Sequence, residues 1–176
     1  MATSEIDLSG EITERLNNPN PAKITVLSYV DSGGQPHVSV RASLHVHSPK
    51  ELGLWVREGY VGTMTPGAAV GAPSNVPAAT PRQSGVLTAI EKNPLVSVLY
   101  REGRTTYVFS GHARVVDDDE VRDQIFASIP PGEQSHSTLP SGERTGTPVI
   151  IDLDHVIGGS LGDGGVIASH VEMTRG

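Results

Sequence analysis

The chain has 176 residues and a net charge of −7, from 20 acidic and 13 basic residues, and it contains no cysteine. The charge argues against a general nucleic-acid binder, which needs a basic face. The missing cysteines exclude disulfides, thiolate metal sites and a cysteine nucleophile. Hydrophobic residues make up 36%, enough for one core in one domain. No apolar run approaches the ~20 residues of a helical membrane span, and Met1 to Leu8 lacks the apolar core of a signal peptide. A soluble, cytoplasmic protein is expected.

Taken in order, Ser9 to Asn18 reads as a short helix, with Ser9 as its cap and Ile12 and Leu16 on one face. Asn17-Asn18-Pro19-Asn20-Pro21 stops it. Residues 1–21 are thus a helix and linker leading into the main domain. Ile24 to Val30 reads as a strand, and Asp31 to Gln35 as a hairpin loop. From His37 to His47 every even residue is apolar (Val38, Val40, Ala42, Leu44, Val46) and every odd one polar. One continuous strand is expected, with its even face on a core and its odd face on water, a partner or a ligand. Leu52, Leu54 and Val56 alternate with Gly53, Trp55 and Arg57 in the next strand.

Residues 58–82 are rich in Gly, Ala, Pro, Ser and Thr, without a period. A loop of that length in a compact domain is usually functional or disordered, so a mobile flap is expected. Ser84 to Lys92 then reads as a helix carrying Val86, Leu87 and Ile90 on one face. Ser84 is its cap candidate, and Pro94 disfavours helical geometry at Asn93. Leu95 to Tyr100 and Thr105 to Val116 form a hairpin about Glu102-Gly103. Asp117 to Ser128 reads as a helix whose acidic start suits the positive end of its dipole. Pro130 to Gly146 is a polar loop, Pro148 to Ile157 a strand, and residues 158–176 a glycine-rich tail with a short strand at Val166 to His170. The whole suggests a mainly β protein, an antiparallel barrel of six or seven strands with peripheral helices.

Three phrases in this order and spacing, GQPHVSVRAS (Gly34 to Ser43), LGLWVR (Leu52 to Arg57) and SGVLTAIEKNPLVSVLYREGRTTYVFSGHARVVDD (Ser84 to Asp118), resemble the pyridoxamine 5′-phosphate oxidase-like family of FMN-binding split barrels. PVIIDLDHV (Pro148 to Val156) resembles that family's last barrel strand, and the likeness spans residues 22–157. It implies a split β-barrel homodimer with flavin in clefts at the subunit interface, acting as an oxidoreductase on a small organic substrate. Carried over position by position, it implies cofactor binding by Arg41 and Ser43 on the second strand and by Val56 and Arg57 at the end of the third. Ser84 at the helix start and Thr106 match further cofactor positions. Val86 stands where members often carry Lys, and Arg82 is the candidate for the missing positive charge. The 58–82 insertion is longer than usual. FMN therefore shares the field with a deazaflavin, with haem and with no cofactor, and a non-catalytic carrier is the alternative to an enzyme. No catalytic side chain is assigned.

The bland readings stay beside these. Arg41 and Ser43 also suit a solvated face, and Ser84 a plain cap. Trp55, the one tryptophan, suits a flavin ring or a subunit interface. His45-x-His47 has zinc spacing but no third ligand at a recognisable distance, so no metal is expected.

Overall fold

The computed structural model describes residues 3–57 and 85–176. The insertion 58–82, with Arg82 and Ser84, lies outside the described residues. Chain order is β1 (Ser4–Glu5), α1 (Glu11–Asn17), β2 (Lys23–Val30), β3 (Pro36–Val40), β4 (His45–Ser48) and β5 (Glu51–Val56), then α2 (Gly85–Lys92), β6 (Leu95–Glu102) and β7 (Thr105–Val115). There follow α3 (Asp119–Ser128), α4 (Pro131–His136), β8 (Thr147–Leu161) and β9 (Ile167–Thr174).

The strands form one sheet in the order β1-β9-β8-β7-β6-β2-β3, with β5 joined to β8 and β4 to β5. All these pairings are antiparallel except β1 with β9. The long strand β8 closes the barrel. Its first half lies between β7 and β5, and its second half between β7 and β9. This is a split β-barrel with helices at its periphery.

Alternation explains most of the core. Val96, Val98 and Tyr100 on β6 and Tyr107, Phe109 and Ala113 on β7 point inward, beside Ile151 and Leu153 of β8. Ile12 and Leu16 seat α1 on the same core, and Val86, Leu87 and Ile90 seat α2. The β6–β7 hairpin turns at Gly103, whose φ of 56° favours glycine. A second, smaller core joins Trp55 and Ile150 to Ile125, Phe126 and Ile129 of the α3 region.

Four expectations need correction. The strand expected over His37–His47 is two strands, broken at residues 41–44. Burial also changes sides there: Val38 and Val40 are each 71% exposed, whereas Ser43, Leu44, His45 and Val46 are all buried. Alternation reports which side chains share a face, not which face gains a cover. Ser9 does not cap α1; Gly10 holds that position without a side-chain bond. The polar loop from Pro130 contains α4, and the tail contributes the eight-residue strand β9.

Candidate functional site

β2 and β3 pair so that Leu27 faces Ser39 and Tyr29 faces His37. Beyond β3, the Arg41 amide donates to the Thr25 carbonyl at 2.9 Å, and the Thr25 hydroxyl donates to the Arg41 carbonyl. Tyr29, His37, Ser39 and Arg41 therefore share the barrel-side face of this hairpin, since Leu27 and Thr25 between them are buried. Tyr29 and His37 stack with ring centroids 5.2 Å apart. The free ring edge of His37 binds Asp31 through Nε2 at 2.9 Å.

Two buried polar atoms on this face lack a partner among the described residues: Ser39 Oγ and Arg41 Nε. Such atoms are rare, because each forfeits its hydration without a replacement. Burial pushes the Arg41 guanidinium below its ordinary value; nearby Tyr29 opposes this, and the like charge of Arg57 adds to it. Arg41 thus feels the charge of Arg57, and no acid among the described residues offsets its desolvation. Arg57's partner is Glu133 of α4, at 3.8 Å, beyond hydrogen-bond length. The N-terminus of α2 lies beside Tyr29. Tyr29 Oη lies 3.3 Å from where a Cβ on Gly85 would stand, and the first amides of a helix attract anions.

The other sequence-predicted residues stand as follows. Ser43 Oγ donates to the Trp55 carbonyl at 2.9 Å and accepts from the Trp55 amide at 3.2 Å, so it stitches the chain to β5. The Val56 side chain is fully buried in the core. Thr106 lies on the opposite face of the sheet from Arg41, in a groove of about 360 Å³ with Arg104, Ile157, Gly159 and His170. Trp55 is 2% exposed. Its indole Nε1–H donates to the Thr145 carbonyl, and its ring packs against Phe126 and under Arg122. It lines neither a ring cleft nor an interface, because α3 covers it. Ser39 and Tyr29 were missed. Ser39 was visible in the polar phase of its strand, but nothing in the sequence marks its hydroxyl as orphaned. No group of three potential metal ligands occurs among the described residues, and no described helix is long and apolar enough to cross a membrane.

Comparison with solved structures decides the fold. The chain superposes on general stress protein 26 from Bacillus anthracis str. Sterne with a TM-score of 0.53 at 17% identity, covering 83% of this chain and 89% of that one. The fold is that of the pyridoxamine 5′-phosphate oxidase-like split barrels. A Clostridium acetobutylicum protein related to general stress protein 26, of the pyridoxinephosphate oxidase family, matches with a TM-score of 0.54 at 8% identity over 86% and 84% of the two chains. A NimC/NimA family protein from the same organism matches at 0.53 and 12% over 91% and 92%. No sequence-family profile and no curated protein matches this chain. A likeness to split barrels at such low identity speaks for the fold alone.

Proposed function

We propose that this chain is a homodimeric, FMN-dependent oxidoreductase acting on a small organic molecule. The observation that carries it is the pair of orphaned polar atoms, Ser39 Oγ and Arg41 Nε, beside Arg57 and the α2 N-terminus. These residues suit a phosphate. Two guanidinium forks supply charge-assisted donors, and a hydroxyl and helix amides supply the rest. Arg41 and Ser39 would grip the phosphate of FMN, with Arg57 balancing its charge. Bound FMN would supply the two-electron redox chemistry. The protein's share is anchoring and the exclusion of water from the cleft.

The dimer is supported by the outer face of the sheet. Val40, Val26, Leu99, Val108 and Ile157 lie directly opposite one another across five strands. A row of Ser28, Ser97 and Ser110 runs beside them. Apolar and uncharged at its centre, this face resembles an interface core more than a solvated surface. Thr106 sits at its border, turned away from the arginines of its own chain. A second copy is what would bring Thr106 to a flavin held by Arg41.

An absorbance spectrum of the purified protein, then titration with FMN, tests this reading. Flavin bands and a dissociation constant tighter for FMN than for riboflavin are expected. A Soret band, or equal affinity for the two flavins, defeats it. Turnover of NAD(P)H or of a reduced deazaflavin separates an enzyme from a carrier.

A further inference from the structure

We infer that Glu133 sets the charge of ligand the arginine site accepts, by holding Arg57 as an internal counterion that a bound phosphate must displace or tolerate. This rests on the reading of Arg41 and Arg57 as an anion site and adds a residue to it. Glu133 is firmly presented. Its helix α4 is tied down where the Gln134 side chain donates to the Ile129 carbonyl at 3.0 Å and to the Ala127 carbonyl at 3.3 Å. The Ser137 amide caps the same turn on the Glu133 carbonyl at 3.0 Å. The carboxylate, largely shielded at 22% side-chain exposure, stops 3.8 Å from Arg57 Nε. That gap is close enough for attraction and too long for the bond a committed ion pair would make.

Charge counting gives the consequence. Arg41, Arg57 and Glu133 sum to one positive charge. An incoming phosphate dianion meets two cations but also a carboxylate of its own sign. Glu133 relieves the repulsion between the two arginines when no ligand is bound and competes with the ligand for Arg57 when it arrives. It therefore weakens dianions more than uncharged ligands, and its effect is routed through Arg57.

The test measures FMN, riboflavin and inorganic phosphate binding to the full chain and to Glu133→Gln, Glu133→Ala, Arg41→Ala, Arg57→Ala and the Arg57→Ala/Glu133→Gln double variant. Both Glu133 variants should tighten FMN and phosphate about threefold to tenfold, the scale of one half-screened charge at this range. Riboflavin should be unchanged. The gain should vanish in the Arg57→Ala background. If FMN affinity depends on Arg41 and Arg57 but the Glu133 variants leave it unchanged or weaker, this inference is overturned and the anion site stands. If none of the arginine variants alters FMN or phosphate binding, both fall together.

Discussion

Ser39 and Arg41 stand two residues apart on the barrel-side face of the β2–β3 hairpin, and each buries a polar atom, Oγ and Nε, that no described residue satisfies. Two such atoms on one face cost stability while they stay unpaired. A ligand that supplied an acceptor to Arg41 Nε and a partner to Ser39 Oγ would recover that cost.

That relationship separates affinity from stability. Arg41→Ala should weaken FMN binding by about 1.5–3 kcal/mol, and Ser39→Ala by about 0.5–1.5 kcal/mol, the ranges for charged and neutral hydrogen bonds. Ligand-free Ser39→Ala should be as stable as the parent or more so, since an orphaned hydroxyl is removed. Flavin fluorescence titration and urea unfolding of the same samples check both arms. A Ser39→Ala protein that is less stable and binds FMN unchanged would make Ser39 a packing residue.

Ser43 is expected to behave in the opposite way. Its hydroxyl holds both the amide and the carbonyl of Trp55 in a buried place. Ser43→Ala should cost about 1–3 kcal/mol of folding stability, read as a lower urea midpoint at constant m-value. Parental stability would free the hydroxyl for the ligand role that its position in the strand suggests.

The apolar row on the outer face predicts the assembly. Leu99→Glu and Val108→Glu place charges at the centre of that row, opposite one another. Each should shift the protein to monomer in sedimentation at micromolar concentration and lower FMN affinity, while circular dichroism stays parental. A dimer that survives both changes must use another surface.

His45 predicts a pH dependence. It is 2% exposed, its Nδ1 lies 3.1 Å from the Ser43 carbonyl, and its Nε2 has no partner among the described residues. Desolvation lowers its pKa below the ordinary 6.5, with His47 and Lys23 adding to the shift and the Ser43 carbonyl opposing it. The unfolded chain therefore takes up a proton at higher pH than the folded one. Stability contributed by neutral His45 is complete above about pH 6.5 and drains away as pH falls below that value toward the folded pKa. His45→Phe should flatten this part of the urea-midpoint profile between about pH 7 and 5; an identical slope in the variant would assign the dependence elsewhere. Gly53 belongs to the same arrangement. A Cβ there would stand 2.5 Å from His45 Nε2, so Gly53→Ala should expel the ring and destabilise the β4–β5 pair.

Sequence by itself determined the elements whose partners are near in the chain. The β6–β7 hairpin follows from Val96, Val98 and Tyr100 alternating across a Gly103 turn, and α2 ends where Pro94 requires it. Ile12 and Leu16 announced the buried side of α1 before any neighbour was known. In all of these, one local period meets one nearby cover. Tertiary structure alone decided what depends on distant covers. Val38 and Val40 carry the pattern of a core strand, yet β3 is the last strand of the sheet and no described element lies over them. Trp55 looked like a ligand or interface residue until α3, about seventy positions later in the chain, folded across it. Ser39 was one serine in an alternating strand until the barrel closed and stripped its hydroxyl of water. Periodicity sorts side chains into two faces; only the packing of remote segments says which face is dry, and a candidate site is made of the polar atoms left on the dry one.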